Sequence, residues 1–292
     1  MGINVMEVYS STDPNAKPIL EKVSKYTQQA QAMNLPYWVF VHDSNPVGVV
    51  AVGKEPIQLY APPGTPMALI RLIDSSLSKE IIEDFATEAM KLAIESAVEY
   101  ALATFSDKDM VAIGEFKKLN FKVFDDCYRM VCQLDKDYSP SNELEFKQVQ
   151  KEEMRQFIKV ARKFLQGSPD STLSKALQHM LELPDEFLNF YYSQEKFHFA
   201  NKNQQPIGVI DFNLNRGLIG NVGVDPQQRG KGYGRQIMLF ALAQIKASGC
   251  KQAYLRVHVE NSPAIHLYES LGFLRAERYK TLMWTRNCTK TC

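Results

Sequence analysis

The residues with the clearest chemical signature lie in "VGVDPQQRGKGYGRQIMLFALAQI", residues 222–245. Gly230, Gly232 and Gly234 alternate with Lys231 and Tyr233, Arg229 and Arg235 flank them, and an apolar helical run follows. Glycines at such a junction let backbone N–H groups close around a phosphate at the positive end of a helix. The three cationic side chains add charge where such a ligand is most anionic. Two nucleotide motifs fail on spacing. A P-loop needs Ser or Thr after its lysine, and Lys231 is followed by Gly232. The dinucleotide fingerprint needs a third glycine at position 235, which is Arg235.

Some forty residues on, "VENSPAIHLYESLGF" supplies Asn261, Tyr268 and a Gly-Phe pair. The run Arg229-Gly230-Lys231-Gly232-Tyr233-Gly234 follows a strand ending Val-Asp-Pro and precedes Asn-x-x-Ala-Ile-x-Leu-Tyr-x-x-x-Gly-Phe. Together they resemble the GCN5-related N-acetyltransferase (GNAT) superfamily, closely over residues 144–285 and, through an internal duplication, over residues 1–135.

The resemblance implies acetyl-CoA as cosubstrate, no metal, and direct attack of a primary amine on the thioester within a ternary complex. It implies that Val222, Gly223 and Val224 offer backbone groups to the pantetheine arm. It gives Tyr268 as general acid for the leaving thiolate, against an alternative as an aromatic anchor. Asn261 is a helix cap that in such proteins often also meets the cofactor, and both readings stay open. The second half resembles ribosomal-protein alanine acetyltransferases in "NSPAIHLYESLGF", but Arg256 stands where those carry a glutamate. Alternation puts Arg256, His258 and Glu260 on one strand face, and His258 is a candidate base or water relay. The helical region 151–190 and the loop after Phe273 are expected to shape the acceptor cleft. An active second half behind an inert first is similar to mycothiol synthases. The acceptor is therefore either a small-molecule amine or a peptide amine. A non-catalytic acyl-CoA sensor is the rival from another class.

The elements that must position these residues can be read along the chain. In the second half, "LEFKQVQ" predicts a strand. "KEEMRQFIKVARKFL" predicts an amphipathic helix with Met154, Phe157, Ile158, Ala161 and Leu165 inward. "STLSKALQHMLEL" predicts another helix, and "KFHFANKN" with "PIGVIDFNL" a strand–turn–strand. A strand at "GLIGNVGVD" leads to a helix from about Gly234 that stops at Ser248-Gly249. "AYLRVHV", a helix capped by Asn261, and "RYKTLMW" complete the unit.

The first half repeats this plan. "AIGEFKKLNF", residues 112–121, lies on "AIHLYESLGF", residues 264–273, and Asp74 lines up with Asp225. Where the second half has its glycine loop the first has "SSLSKEIIEDF", with no glycine and three acidic residues, and Phe116 stands for Tyr268. The fold expected is α/β with a mixed sheet, as two tandem GNAT-like domains. Their limits are 1–135 (degenerate and structural), a linker at 136–143, and 144–292 (catalytic).

Bulk composition agrees with a globular protein of 292 residues, 45% hydrophobic and 23% charged. A net charge of +1 offers no cationic field for nucleic acid or an anionic membrane. No apolar run is long enough to span a bilayer, the first residues lack a signal-peptide pattern, and Met6 breaks the myristoylation motif. Five scattered cysteines, with Cys288 and Cys292 in a polar tail, fit a reducing, cytoplasmic setting.

Overall fold

The computed structural model describes residues 6–55, 60–74 and 76–286. Two compact units emerge: Met1–Asp126 with Tyr279–Cys292, and Cys127–Arg278. Cys288 and Cys292 fall outside the described residues. No helix among the described residues is long and apolar enough to cross a membrane.

The first unit contains β1 (Glu7–Ser10), α1 (Lys17–Lys22), α2 (Ser24–Ala32), β2 (Tyr37–His42), β3 (Asn45–Lys54), β4 (Pro66–Leu72), α3 (Lys79–Glu95), β5 (Tyr100–Ser106) and α4 (Met110–Lys118). Its strands run β1-β2-β3-β4-β5, with β4 and β5 parallel and the other pairs antiparallel. Phe85, Ala86 and Ala89 of α3 and Phe116 of α4 are buried in one core with Val50, Ala68 and Ala101.

The strand β6 (Lys122–Gln133) leads into the second unit, which contains β7 (Glu145–Gln148), α5 (Met154–Leu165), α6 (Ser171–His179), α7 (Asp185–Gln194), β8 (Lys196–Lys202), β9 (Gln205–Asn213), β10 (Leu218–Val224), α8 (Tyr233–Ala247), β11 (Gln252–His258) and α9 (Ser262–Ser270). The last strand, β12 (Leu274–Thr285), crosses back. In this unit the strand order is β6-β11-β10-β9-β8-β7. Alternation decides the faces: Ala253, Leu255 and Val257 of β11 are buried with α8 and α9, while Arg256 and His258 point to the other side. That other side is packed by α5, whose Met154, Phe157 and Ala161 meet Phe197, Phe199 and Val209. Phe164, not Leu165, completes the buried stripe of α5, and Leu165 is half-buried.

The duplication expected from sequence recurs element by element. β5 and β11 begin at 100 and 252, α4 and α9 at 110 and 262, and β6 and β12 at 122 and 274. Both β-hairpins turn on two residues of positive φ, Asp43 and Ser44 in one and Asn203 and Gln204 in the other.

The expected linker at 136–143 is not where the units part. Tyr138 is buried in the second unit's core beside Leu134 and Leu144, and Ser141 N–H donates to Gln236 Oε1 at 2.6 Å. Cys127–Gln133 of β6 pairs with His258–Gln252 of β11, and Tyr279–Thr285 of β12 pairs with Ser106–Tyr100 of β5. The sixth strand of each half therefore completes the sheet of the other. Both fifth strands offer the same kind of hydrogen-bonding edge, so composition along the chain does not reveal the exchange.

Candidate active site

Parallel pairing of β10 with β11 is confined to Leu218 opposite Tyr254. Beyond that pair the two strands separate. The equivalent pair in the first unit stays closed from Met67 opposite Tyr100 to Ile70 opposite Ala103. On its other edge β10 remains paired, Val222 to Ile210, Gly223 to Val209 and Val224 to Gly208. Asp225 N–H donates to Ile207 O at 2.9 Å, so alternation aims the N–H and C=O of Val222 and Val224 at the parted edge. Arg229 Nε takes the Val224 carbonyl at 3.2 Å. Both groups of Val222 and the N–H of Val224 thus face the gap, an edge that an extended amide chain can extend as a further strand.

The glycine loop lies at the end of that edge. Gly230 and Gly232 have φ of 79° and 83°, where a side chain would be strained although nothing lies within 4 Å of a Cβ. At Gly234 the constraint is contact, since a Cβ would stand 3.2 Å from Leu267. Gly232 precedes α8 without any side-chain cap. Among the described residues, none accepts from the N–H groups of Gly230, Lys231 or Gly232. These donors lie at a helix N-terminus, where backbone N–H groups can bind phosphate. In the first unit the same junction is closed: Ser78, at φ −62°, caps α3 by accepting from Ile81 N–H at 3.4 Å.

The side chains around the loop divide by their partners. Lys231 is exposed and, among the described residues, reaches only Gln228 Oε1, at 2.9 Å. The Arg229 guanidinium also donates to Phe164 O at 2.8 Å, tying the end of α5 to the loop. Arg235 donates to Ser270 Oγ at 3.0 Å. The Tyr233 ring is buried and its hydroxyl meets Lys202 and Glu143. Arg229, Tyr233 and Arg235 therefore shape the loop, and Lys231 is the expected cation with a free reach.

Tyr268 has its ring in the core at 9% exposure, 5.9 Å from the ring of Phe273. Its hydroxyl has no hydrogen-bond partner among the described residues. Burial pushes its pKa up to about 12, so it holds its proton across the neutral range. Phe116 is fully buried among Phe85, Phe105 and Phe121, an anchor and nothing more. Asn261 Oδ1 accepts from Ala264 N–H at 3.3 Å, the cap expected of it.

On the sheet face covered by α5 and α6, Arg256 pairs with Asp170 at 2.9 Å, and Asp170 caps α6 through Leu173 N–H at 2.8 Å. The arginine in place of a glutamate thus fastens α6 to β11. His258 Nδ1 accepts from Glu260 N–H at 3.2 Å. That bond occupies the lone pair of Nδ1.

Sequence reasoning missed Asp211. The signal was present: a lone carboxylate inside the apolar run "PIGVIDFNL". It is 2% exposed, and Asn221 N–H and Nδ2 donate to its Oδ1 at 3.1 and 2.9 Å. Burial raises its pKa to about 7, with Glu195 adding to the rise and the Asn221 bonds opposing it. Since folding favours the protonated form, stability is full below the ordinary carboxylate pKa near 4 and falls as pH rises through 7. The loss amounts to at most about 4 kcal/mol. Thermal denaturation should show Tm declining from pH 5 to 8, and Asp211→Asn should flatten that decline. An unchanged slope in the variant would place the pH dependence elsewhere.

An opened parallel pair, an uncapped glycine loop and a buried tyrosine thus fall within one stretch of the second unit, residues 218–268. Residues 158–273 match the acetyltransferase (GNAT) family. Mycothiol acetyltransferase of Thermobispora bispora is 42% identical over 82 residues, 27% of this chain and 26% of the relative. N-alpha-acetyltransferase 30 of Saccharomyces cerevisiae is 36% identical over 80 residues, 25% of this chain and 46% of the relative. The chain spans about a quarter of the length of the mycothiol acetyltransferases it matches. A tandem GNAT protein from the clavulanic acid biosynthesis pathway, solved without acetyl-CoA, shares the fold. It covers 96% of this chain and 98% of its own, with a TM-score of 0.64 and 13% identity. The α/β fold with a mixed sheet, in two GNAT-like halves, is the one expected from sequence.

Proposed function

We propose that the second unit transfers the acetyl group of acetyl-CoA to a primary amine by direct attack in a ternary complex, and that the first unit binds no cofactor. The separation of β10 from β11 beside the open glycine loop carries this reading. The pyrophosphate would sit on the N–H groups of residues 230–232, with Lys231 added, and the pantetheine amides would pair with Val222 and Val224. Asn261 would keep its cap and present Nδ2 toward the cofactor. The amine nitrogen attacks the thioester carbonyl carbon, the C–S bond breaks, and the second N–H proton goes to sulfur. A thiolate of pKa near 8.5 does not take the proton outright from a phenol near 12. Tyr268 therefore stabilises the departing sulfur by donating a hydrogen bond.

A small-molecule amine is the acceptor favoured here. Several mycothiol acetyltransferases are among the similar relatives, and the Arg256–Asp170 pair takes the place of a peptide-type glutamate. A peptide amine is the alternative, in line with the N-alpha-acetyltransferase 30 match. Cys132 and Cys250 are outside any disulfide among the described residues, in line with a reducing, cytoplasmic setting.

Release of CoA from acetyl-CoA across a panel of amines and peptides tests the activity and ranks the acceptors. Binding without release from any of them would make the protein a sensor. Calorimetry should give one acetyl-CoA per chain. Gly232→Glu places a side chain at φ 83° and a negative charge in the pyrophosphate seat, so affinity should fall at least about 100-fold. Two equivalent sites, or unaltered affinity in that variant, would overturn the assignment.

A further inference from the structure

We propose that Asp211 takes the proton from the acceptor's ammonium before attack, an inference that rests on the acetyl-transfer reading and names its base. The register of β9 and β10 shifts between Ile219, opposite Phe212, and Val222, opposite Ile210. Gly220 and Asn221 thus face the single residue Asp211, which makes a β-bulge built around its carboxylate. Bulges of this kind re-aim groups beside a site, and this one lies directly before Val222, whose backbone faces the gap between β10 and β11.

The two carboxylate oxygens are treated differently. Oδ1 is filled by both donors of Asn221. Oδ2 has one long contact, to the Tyr191 hydroxyl at 3.5 Å, and lies 1.9 Å from where a Cβ on Gly220 would be. Gly220 is itself exposed. Gly220 puts no side chain there, so the oxygen with spare capacity lies against an exposed glycine. No other residue type at position 220 leaves that oxygen in place.

The groups around Asp211 are few. From α7 comes Tyr191, whose ring meets Phe197 at 5.0 Å. Glu195 follows α7, and burial raises its pKa while the Asn213 hydrogen bond and Arg216 oppose the rise. β8 places Phe197 opposite, and α5 adds the apolar Phe157 and Phe164. A carboxylate in these surroundings gains by accepting a proton, as a base for an ammonium must. The proton moves from R–NH3+ to Oδ2, and the neutral amine attacks. The nitrogen's next proton ends on the CoA sulfur, and Asp211 returns its own to solvent. Net charge and protons balance with one H+ released per turnover.

The test is kcat/KM against pH for an amine that gives turnover. The wild-type profile is expected to rise tenfold per pH unit and level off near pH 7. Asp211→Asn keeps an oxygen for the Asn221 donors. It should bind acetyl-CoA within about twofold of wild type yet lose about 100-fold or more in kcat/KM together with the inflection. Asp211→Glu should keep the inflection. Gly220→Ala, which pushes on Oδ2, should lose it. A carboxylate that only holds the bulge predicts a uniform fall with the inflection retained. That outcome, or a wild-type profile flat from pH 6 to 8, overturns the proposal. No turnover with any amine despite bound acetyl-CoA removes the acetyl-transfer reading itself, and the base with it.

Discussion

Tyr268→Phe should lower kcat by about 10²–10³-fold while acetyl-CoA affinity stays within about twofold. One hydroxyl is removed and the ring remains against Phe273, so the packing survives. The loss follows from the missing donor at a sulfur that gains charge as the C–S bond breaks; one such donor is worth roughly 3–4 kcal/mol. The hydroxyl satisfies no other group among the described residues, so its removal leaves no orphaned partner. Thermal stability should therefore move little. The measurement is steady-state kinetics with an accepted amine, where chemistry limits the rate. A purely packing tyrosine gives the reverse pattern, a lowered Tm with turnover per folded molecule preserved. Survival of kcat within about twofold would make Tyr268 an anchor.

A fragment of residues 142–292 should aggregate, whereas residues 122–278 should remain soluble and bind acetyl-CoA. Cutting at 142 removes β6, the strand that covers the edge of β11, and takes Met130, Cys132, Leu134 and Tyr138 out of the second unit's core. Burial of each is worth about 1–3 kcal/mol, so the sum rivals the whole stability of a typical domain. The cut also strands Tyr279–Thr285 without β5 and exposes an unpaired β11 edge, both sources of aggregation. The longer cut at 122 keeps the compact unit's own strands. Light scattering and acetyl-CoA calorimetry on the two fragments decide the matter. A monodisperse, active 142–292 would show that the exchanged strands are dispensable.

The conformation of the glycine loop was legible because its logic is local. The alternation Gly230, Gly232, Gly234 marks a positive-φ turn before a helix, and two of the three glycines adopt that conformation. The cap at Asn261 follows from a short polar side chain before Ser-Pro. The roles of Arg229 and Arg235 were not legible. Their donors go to Phe164 O and Ser270, partners far apart in sequence that charge counting does not reveal. His258 suits a base by residue type, but its Nδ1 is taken by an amide two residues away. Asp211 shows the opposite error. As a letter in "GVIDF" it is an oddity, and its meaning depends on a bulge in the neighbouring strand.

By itself the sequence determined the element types, the duplication, the glycine loop and the loss of that loop in the first half. Each of these is set by periodicity or by residues within a few positions of one another, where backbone geometry and turn chemistry suffice. Only the tertiary structure decided which fifth strand each sixth strand covers, that β10 and β11 part while β4 and β5 do not, and which carboxylate loses its solvent. Those outcomes depend on pairings between distant segments and on the burial that results. Hydrogen-bonding edges of the same kind occur in both halves, and desolvation is a property of the packed chain rather than of any one residue.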